Sequence, residues 1–186
     1  ALRSNLPGWI TALPSPRLTV VLGGKNAVYR FTEEDDDRLQ AILQSFAALG
    51  VSFLVTPSRR THKRLIAAVE TATRGRPRVI WDGEGDNPYP EMLAGADLLL
   101  VTADSVNMCG EAAATGRPVY VFAPSGGSAK FERFHESLRR HGATRTLTGP
   151  LGRIETWSYA PLDSAGSIAA EIAARWMRRK ATLGTR

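Results

Sequence analysis

Residues 97–122 read DLLLVTADSVNMCGEAAATGRPVYVF, two apolar runs on either side of a helical segment. Both runs are continuous rather than alternating, which is typical of strands that are buried on both faces of a sheet. Between them, Asp104 or Ser105 can cap a helix that ends at Gly116. A buried strand, a helix and a second buried strand in this order predict one unit of a parallel α/β sheet.

The same pattern extends over most of the chain. Continuous apolar runs occur at Leu18–Leu22, Val51–Val55, Arg78–Trp81, Ala96–Val101 and Val119–Phe122. Helical spacing of apolar residues follows most of them, residues 142–161 show no regular pattern, and a terminal helix is predicted around Ile168, Ile172 and Trp176. The predicted fold class is α/β, a Rossmann-like parallel sheet of about five or six strands with helices on both faces.

Length and composition fit one such domain. The chain has 186 residues, of which 43% are hydrophobic and 23% are charged, so a disordered or fibrous protein is excluded. The domain is assigned to residues 17–186, and residues 1–16 are predicted to be a linker or the end of a preceding region. Because those first residues contain neither a start methionine nor an apolar signal core, we expect a partial chain.

Cysteine use and hydropathy favour a cytoplasmic protein. Cys109 is the single cysteine, so an intramolecular disulfide is excluded and a packed, unreactive thiol is expected. The apolar runs are far shorter than the roughly 20 residues that a membrane-spanning helix needs. A cytoplasmic location is therefore predicted, with peripheral contact at the inner membrane as an alternative.

The net charge of +6 is unevenly distributed. Residues 1–127 have equal numbers of basic and acidic side chains, so the whole excess lies in residues 128–186. The basic residues of the last two predicted helices are Arg133, Arg139, Arg140, Arg175, Arg178, Arg179 and Lys180. They form either a solvated face or a face toward a membrane surface or a partner. No nucleic-acid-binding motif accompanies them, so nucleic acid is not expected as a partner.

Ligands of Rossmann-like sheets bind at the carboxyl ends of the strands, so the loops there hold the candidate site. The helix after Ser105 has uncovered amides that can bind a diphosphate. Glu111 follows about two turns after Asp104, on the same helical face as Met108, and its carboxylate can accept hydrogen bonds from two ribose hydroxyls. The alternative is that Ser105 is only a cap and Glu111 only an exposed helix residue.

Three other loops carry candidate ligand-binding residues. These residues are Gly23, Gly24, Ser58, Arg59, Arg60, Ser125 and Lys130. The glycine pair allows close approach of a phosphate to the backbone, or forms a simple turn. The second loop offers hydroxyl and guanidinium donors for phosphate oxygens, or is a solvated helix cap. The third loop is donor-rich and can contact a sugar or a phosphate, or is a plain linker.

The remaining polar clusters do not predict a metal site or a hydrolytic centre. Asp82, Glu84 and Asp86 alternate in the predicted loop at residues 82–90, yet the calcium-binding loop pattern is absent. The three histidines lack the spacing of a zinc site, and no serine lies in a nucleophile-elbow motif. We therefore expect no metal and no cofactor.

Four motifs stand out along the chain. They are Gly23-Gly24 followed by Tyr29-Arg30-Phe31, Thr56–Thr61, Asn87-Pro88-Tyr89, and Val101–Met108 followed by Glu111-Ala112 and Gly116-Arg117-Pro118. With Lys130–His135 they span about residues 17–160. In these motifs the chain resembles the proposed glycosyltransferases that are named after a plant mitochondrial fission protein, whose bacterial members have been labelled nucleoside-diphosphate-sugar epimerases.

The resemblance implies a GT-B glycosyltransferase, in which two Rossmann-like domains face a cleft, and this chain resembles the C-terminal, donor-binding half. It implies that Glu111 holds the ribose of a nucleotide sugar of unknown base. It also implies that Gly24, Ser105 and the loop at residues 58–60 contact the diphosphate. The N-terminal acceptor domain, which usually supplies the catalytic base, has no counterpart here, so the catalytic residues are unknown and the chain alone is expected to be inactive.

The expected function is therefore donor binding in a glycosyltransferase, with a nucleotide sugar and the acceptor domain as partners. A nucleotide-sugar epimerase is the nearest alternative, because it can use the same fold and donor site. The other alternative is a noncatalytic, membrane-associated scaffold related to fission, which would use the basic last third of the chain.

Overall fold

The computed structural model describes residues 2–163, 166, 171–177 and 179. The six strands of this part are β1 (Arg17–Leu22), β2 (Ser52–Pro57), β3 (Arg78–Ile80), β4 (Leu98–Thr102), β5 (Val119–Phe122) and β6 (Thr144–Leu147). They form one sheet in the order β3-β2-β1-β4-β5-β6, and every neighbouring pair is parallel. This is the strand order of a Rossmann sheet, so the predicted fold class is confirmed.

Each connection between consecutive strands contains a helix. The helices are α1 (Gly8–Thr11), α2 (Glu33–Ala48), α3 (Lys63–Ala72), α4 (Tyr89–Gly95), α5 (Val106–Ala114) and α6 (Ala129–Arg140), with a short 3₁₀ turn at Leu2–Asn5. The sequence determines the start of α2 through a capping box. The Thr32 hydroxyl accepts a hydrogen bond from the Asp35 amide, and the Asp35 carboxylate accepts a hydrogen bond from the Thr32 amide. The buried apolar face of α2 consists of Leu39, Ile42, Leu43 and Phe46.

Two elements lie where the sequence predicted none. β6 falls within residues 142–161, and its two central side chains, Arg145 and Thr146, are exposed. An edge strand with a polar centre lacks the continuous apolar run by which the other strands were predicted. α4 begins at Tyr89, inside the predicted loop, and Pro90 is tolerated there because the first turn of a helix does not need its amide hydrogen.

The core lies on both faces of the central strands. Nearly all side chains of β1, β2, β4 and β5 are buried, as continuous apolar runs predict. The strand order reverses between β1 and β4. The connections after these two strands therefore leave in opposite directions, and a crevice forms at their carboxyl ends.

Residues that precede β1 also pack on the domain. Ile10 of α1 is fully buried against Leu54 and Met92. The Ser15 hydroxyl and the Arg17 amide donate hydrogen bonds to the Asp97 carboxylate, at 2.8 and 2.9 Å. The division into a linker and a domain stays a prediction, but part of the predicted linker contacts β2 and α4.

The predicted terminal helix is described only in part. The chain is helical from residue 171 to residue 177, and Ile172 and Trp176 are exposed there. The predicted positions Ile168, Arg178 and Lys180 lie outside the described residues. In the part of the chain that is described, no helix is both long enough and apolar enough to cross a membrane.

Candidate functional site

The buried carboxylate of Asp104 joins the loops after β1, β2 and β4. Its Oδ2 accepts hydrogen bonds from the Gly24 amide and the Arg60 guanidinium, both at 3.1 Å. Its Oδ1 accepts a 2.7 Å hydrogen bond from the Thr102 hydroxyl. That hydroxyl in turn accepts one from the Gly23 amide at 2.7 Å. Four predicted site residues therefore meet at this edge of the sheet, and they bind one another.

The two glycines are required for this packing. A Cβ at Gly23 would overlap the Asp104 carboxylate, and a Cβ at Gly24 would overlap the backbone carbonyl of Arg60. The Arg60 guanidinium also donates to the Gly24 carbonyl at 3.1 Å. The glycines thus allow the close approach of other parts of the protein. Contact of this loop with a diphosphate stays a prediction, and a phosphate there would have to compete with Asp104 for the Gly24 amide.

Ser105, rather than Asp104, caps α5. Its hydroxyl accepts the Met108 amide at 3.4 Å. The amides of Val106 and Asn107 have no acceptor among the described residues. These two free amides and the helix dipole favour an anion at this end of α5.

A cleft of about 360 Å³ lies at the carboxyl ends of β1, β2 and β3. Its walls include Trp81, Tyr89, Met108, Ser58 and Arg59. Apolar walls with a few polar groups are typical of small-molecule sites. The structure thus brings three of the predicted site residues, those at positions 58, 59 and 108, to one cleft.

The two arginines of the loop after β2 have different surroundings. Arg60 is bound to Asp104 and to the Gly24 carbonyl. Arg59 lines the cleft, is exposed, and has no ion pair among the described residues. Ser58 is held in place, because its amide donates to the Thr61 hydroxyl at 2.9 Å. Arg59 is therefore the guanidinium of this loop that is free to bind an anion in the cleft.

Glu111 lies one hydrogen bond from the cleft wall. Its Oε2 accepts a 2.7 Å hydrogen bond from the hydroxyl of Tyr89. Burial first, and then this hydrogen bond, raise the pKa of Tyr89 far above its ordinary value, so the phenol stays protonated and donates. Glu111 itself lines a separate cavity of about 510 Å³, together with Val106, Asn107 and Phe134. The hydrogen bond therefore joins the walls of two cavities.

Ser125 and Lys130 do not line the cleft. The amide and hydroxyl of Ser125 bind the Asp35 carboxylate at 2.8 and 3.1 Å. The Ser125 carbonyl accepts the Arg30 amide at 2.9 Å. Lys130 is exposed in the first turn of α6. The loop after β5 is therefore fastened to the loop after β1 and to α2.

Two other titratable groups lie beneath the strand ends. Burial first, and then the charge of Asp104, raise the pKa of the Cys109 thiol, so it is a packed, neutral group. The Nε2 of His135 lies 2.9 Å from the Ala103 carbonyl, which assigns the proton to that nitrogen. Its Nδ1 is buried and has no hydrogen-bond partner among the described residues. Neither side chain lines the cleft.

Sequence reasoning missed the aromatic part of the cleft. Trp81 directly follows β3, so its place at the end of a strand was the available signal. Tyr89 belonged to a recognised motif, but its hydroxyl contact with Glu111 joins residues that are far apart in sequence. Within the described part of the chain, no group of three or more His, Cys, Asp or Glu side chains is placed to hold a metal ion.

The strand order and this cleft define a Rossmann-like α/β domain whose polar loops gather at the carboxyl ends of the strands. The chain belongs to the Mitochondrial fission ELM1 family, because the sequence model of that family matches residues 1–176. The family that the four motifs indicated is thereby confirmed.

Two curated relatives have comparable similarity. The chain is 35% identical over 188 residues to the mitochondrial fission protein ELM1 of Arabidopsis thaliana, a match that covers 96% of this chain and 44% of the relative. It is 32% identical over 156 residues to an uncharacterized protein of Rickettsia prowazekii, covering 81% of this chain and 44% of the relative. The chain therefore spans less than half the length of the curated relatives it matches.

Solved structures show a weaker similarity. The molybdenum cofactor carrier protein of Chlamydomonas reinhardtii matches with a TM-score of 0.49 and 15% identity, over 86% of this chain and 98% of the carrier. Os79 of O. sativa, in complex with U2F and trichothecene, matches with a TM-score of 0.48 and 18% identity, over 73% of this chain and 29% of Os79. At these scores and identities, neither structure indicates the function of this chain.

Proposed function

We propose that this domain binds the nucleoside diphosphate of a nucleotide sugar in the cleft at residues 58, 59, 81, 89 and 108, as the donor half of a glycosyltransferase. The observation that carries the proposal is the composition of that cleft. The guanidinium of Arg59, which has no ion pair among the described residues, lies in a cleft whose walls include the aromatic side chains of Trp81 and Tyr89. An anion and a planar apolar ring are the two parts of a nucleotide that such groups bind.

Each part of the ligand has a group that suits it. A nucleobase packs against an aromatic wall, since stacking on such side chains tolerates any base. The diphosphate binds Arg59 in a bidentate manner. The residues with free amides at the start of α5, Val106 and Asn107, line the separate cavity that also includes Glu111. The ribose hydroxyls donate to Glu111, which already accepts one hydroxyl, that of Tyr89.

The same charges suit the chemistry of sugar transfer. Negative charge develops on the diphosphate as the bond to the sugar breaks, and the Arg59 guanidinium together with helix amides stabilises that charge. The acceptor and the catalytic base belong, in this proposal, to an N-terminal domain outside the chain. Transfer activity is therefore proposed for the longer protein and donor binding for this domain.

Calorimetric titration with UDP, GDP, ADP and CMP tests the proposal. We expect one nucleoside diphosphate to bind saturably, and Arg59→Gln to weaken it by roughly tenfold or more, since a hydrogen bond to a charged group contributes about 1.5–3 kcal/mol. Arg74→Gln is the matched control, because Arg74 is an exposed arginine that follows α3, away from the strand ends that form the cleft. Glu111→Ala should also weaken binding while the fold stays intact.

Two results would contradict donor binding. One is a folded chain that binds none of the four nucleotides. The other is an equal loss of affinity in the Arg59 and Arg74 variants, which would indicate attraction by net charge alone. A nucleotide-sugar epimerase would bind the same ligands, so product analysis of the longer protein separates it from a transferase.

The second candidate function is a noncatalytic scaffold at a membrane surface. The observation that favours it is the exposure of three large apolar side chains, those of Ile172, Trp176 and Met177, in the basic last third of the chain. Salt-sensitive adhesion to anionic phosphatidylserine vesicles, without nucleotide binding, would support this function. Absence of adhesion would remove it.

A further inference from the structure

We infer that two copies of this chain exchange their terminal helices, residues 171–177, each docking in the groove beside α5 of the other copy. This groove, the α5 groove, is the cavity of about 510 Å³ that Glu111 lines. The inference does not rest on the proposed function. It starts from the large apolar side chains that are exposed among the described residues: Trp9, Val106, Ile172, Trp176 and Met177. All but one of them lie on the terminal helix or line the α5 groove.

The terminal helix presents one apolar face. Ile172 and Trp176 are four residues apart, about one helical turn, and Met177 follows directly, so the three side chains lie on the same side of the helix. Each of them is at least 62% exposed. Clustered exposed apolar side chains mark a surface that another surface covers. Since none of the three lines the α5 groove, the chain does not cover its own groove with them.

The α5 groove has walls that suit a helix. Val106, Gly110 and Ala114 recur every four residues along α5, so they form one stripe of short side chains. Phe134 of α6 and Leu162 supply the other apolar walls. The nine residues of α5 and the seven of the terminal helix have similar lengths, about 14 Å and about 10 Å. Short side chains on one helix let the larger side chains of a second helix pack between them.

The charges of the two surfaces are complementary. Two acidic residues, Glu111 and Asp163, line the α5 groove, and none of the described residues that line it is basic. The terminal helix and the residues after it carry Arg175 and Arg179, both exposed. Arg175 forms an ion pair with Glu171 at 2.7 Å, whereas Arg179 has no ion pair among the described residues. A basic helix therefore approaches an acidic groove, and opposite charges favour that encounter.

Every copy contains both halves of the contact, which favours a closed pair of copies. Asp163 lines the α5 groove, and its Oδ1 accepts a hydrogen bond from the Gly166 amide at 2.7 Å. The segment that leads to the terminal helix therefore begins at the groove wall. In a two-fold pair each copy supplies one helix and receives one, so the same contact forms twice. A stable dimer covers roughly 800 Å² on each partner, and the exchange covers a helix and a groove on each.

Analytical ultracentrifugation of the 186-residue chain tests the dimer. It is done without nucleotide, because Glu111 borders the groove. We expect the mass to rise from 20.2 kDa toward twice that value as the concentration approaches roughly 100 µM. Trp176→Ser removes the largest side chain of the apolar face, and it should weaken the dimer roughly 30-fold, as the loss of a central aromatic residue does. Trp9→Ser is the matched control and should leave the dimer unchanged, because Trp9 is exposed on α1 and does not line the groove.

A second variant fills the groove instead of altering the helix. A Cβ at Gly110 would meet no atom within 4 Å, so Gly110→Leu keeps the fold and occupies the groove. Gly8→Leu is its control, because Gly8 lies on α1 with the same open space. We expect Gly110→Leu to lose the dimer and Gly8→Leu to retain it. A mixture of Gly110→Leu and Trp176→Ser chains should form heterodimers, because the first keeps its helix and the second keeps its groove.

Native mass spectrometry identifies the heterodimers, because the two variants differ in mass. A chain that stays monomeric over the whole concentration range would overturn the inference. So would a dimer that survives both variants, or a mixture that forms no heterodimers, since another surface would then join the copies. Adhesion of a monomeric chain to phosphatidylserine vesicles, lost in Trp176→Ser, would assign the terminal helix to a membrane instead. Each of these failures leaves the proposed nucleotide binding untouched.

Discussion

His135 is an imidazole that the protein buries beneath the end of β4. Its Nε2–H donates to the Ala103 carbonyl, and its Nδ1 has no hydrogen-bond partner in the part of the chain that the structure describes. Burial lowers the pKa of His135, and this effect outweighs the opposing influence of the Ala103 hydrogen bond and of Glu132. The neutral form is therefore the one that the fold accommodates.

A pH dependence of stability follows from that lowered pKa. An unfolded histidine takes up a proton near pH 6.5, whereas the folded one resists, so the unfolded state binds more protons below that pH. We expect the free energy of unfolding in urea to fall as the pH is lowered from 7.5 through 6.5 toward the folded pKa. His135→Gln keeps a donor for the Ala103 carbonyl and does not titrate, so its stability should depend less on pH. Equal slopes in the two proteins would contradict this account.

Asp104 shows, residue by residue, what the sequence could and could not predict about the site. The strand-end position of the glycine pair and of the two arginines follows from apolar runs alone, and the position of Glu111 on α5 follows from helical spacing. The partner of each group does not, because Asp104 reaches Gly24 across a separation of 80 residues. Arg59 and Arg60 are adjacent and identical in type, yet the fold pairs one with a buried carboxylate and leaves the other in the cleft. That division depends on side-chain direction, which spacing does not encode.

At the scale of elements, the loop after β5 is held against the loop after β1. Gly126 forms an isolated antiparallel bridge with Tyr29, and the Gly127 amide donates to the Val28 carbonyl at 3.0 Å. Asp35 supports the arrangement from α2. Burial alone would raise the pKa of Asp35, but hydrogen bonds from the Ser125 and Thr32 amides lower it below its ordinary value. The carboxylate therefore stays charged and keeps its donors.

Substitution of Gly126 tests the contact between these loops. Gly126 has a φ of +114°, and a Cβ there would overlap the Val28 carbonyl. Gly83 has a comparable φ of +92° but open space around it. We expect Gly83→Ala to cost about 1 kcal/mol of unfolding free energy, from backbone strain alone, and Gly126→Ala to cost about 2 kcal/mol more, since the backbone must move. Equal losses in urea unfolding would show that the loops are not in tight contact.

Some helices and strands could be predicted from the sequence, and others could not. β1, β2, β4 and β5 were predictable because strands buried on both faces are continuously apolar. β6 was not, since its exposed centre, Arg145 and Thr146, breaks the apolar run at the edge of the sheet. α4 was not predicted for a different reason. Its seven residues are too few for helical periodicity to distinguish a helix from a loop.

At the scale of the whole molecule, the position of Ile10 bears on how far the domain extends. Its side chain is fully buried with Leu54 and Met92. We expect Ile10→Ala to lower the unfolding free energy by about 3 kcal/mol, as for other large-to-small changes in a core. Trp9→Ala removes more atoms at a side chain that is 37% exposed, and should cost about 1 kcal/mol. A negligible cost for Ile10→Ala would make residues 1–16 a linker, as the sequence suggested.

The junction between β1 and β4 also governs the order in which the fold can form. The other neighbouring strands are consecutive in sequence, but Leu18 of β1 pairs with Leu98 of β4. Closing a loop of that length costs chain entropy before the contact is made. While the chain is being synthesised, β1 can pair with β2 early, and its other edge stays open until β4 emerges. An open apolar strand edge invites pairing with another chain. β4 covers that edge when it emerges, and β5 and β6 in turn cover the apolar edges that follow. The strand left open on this side of the sheet is then β6, whose central residues Arg145 and Thr146 are polar.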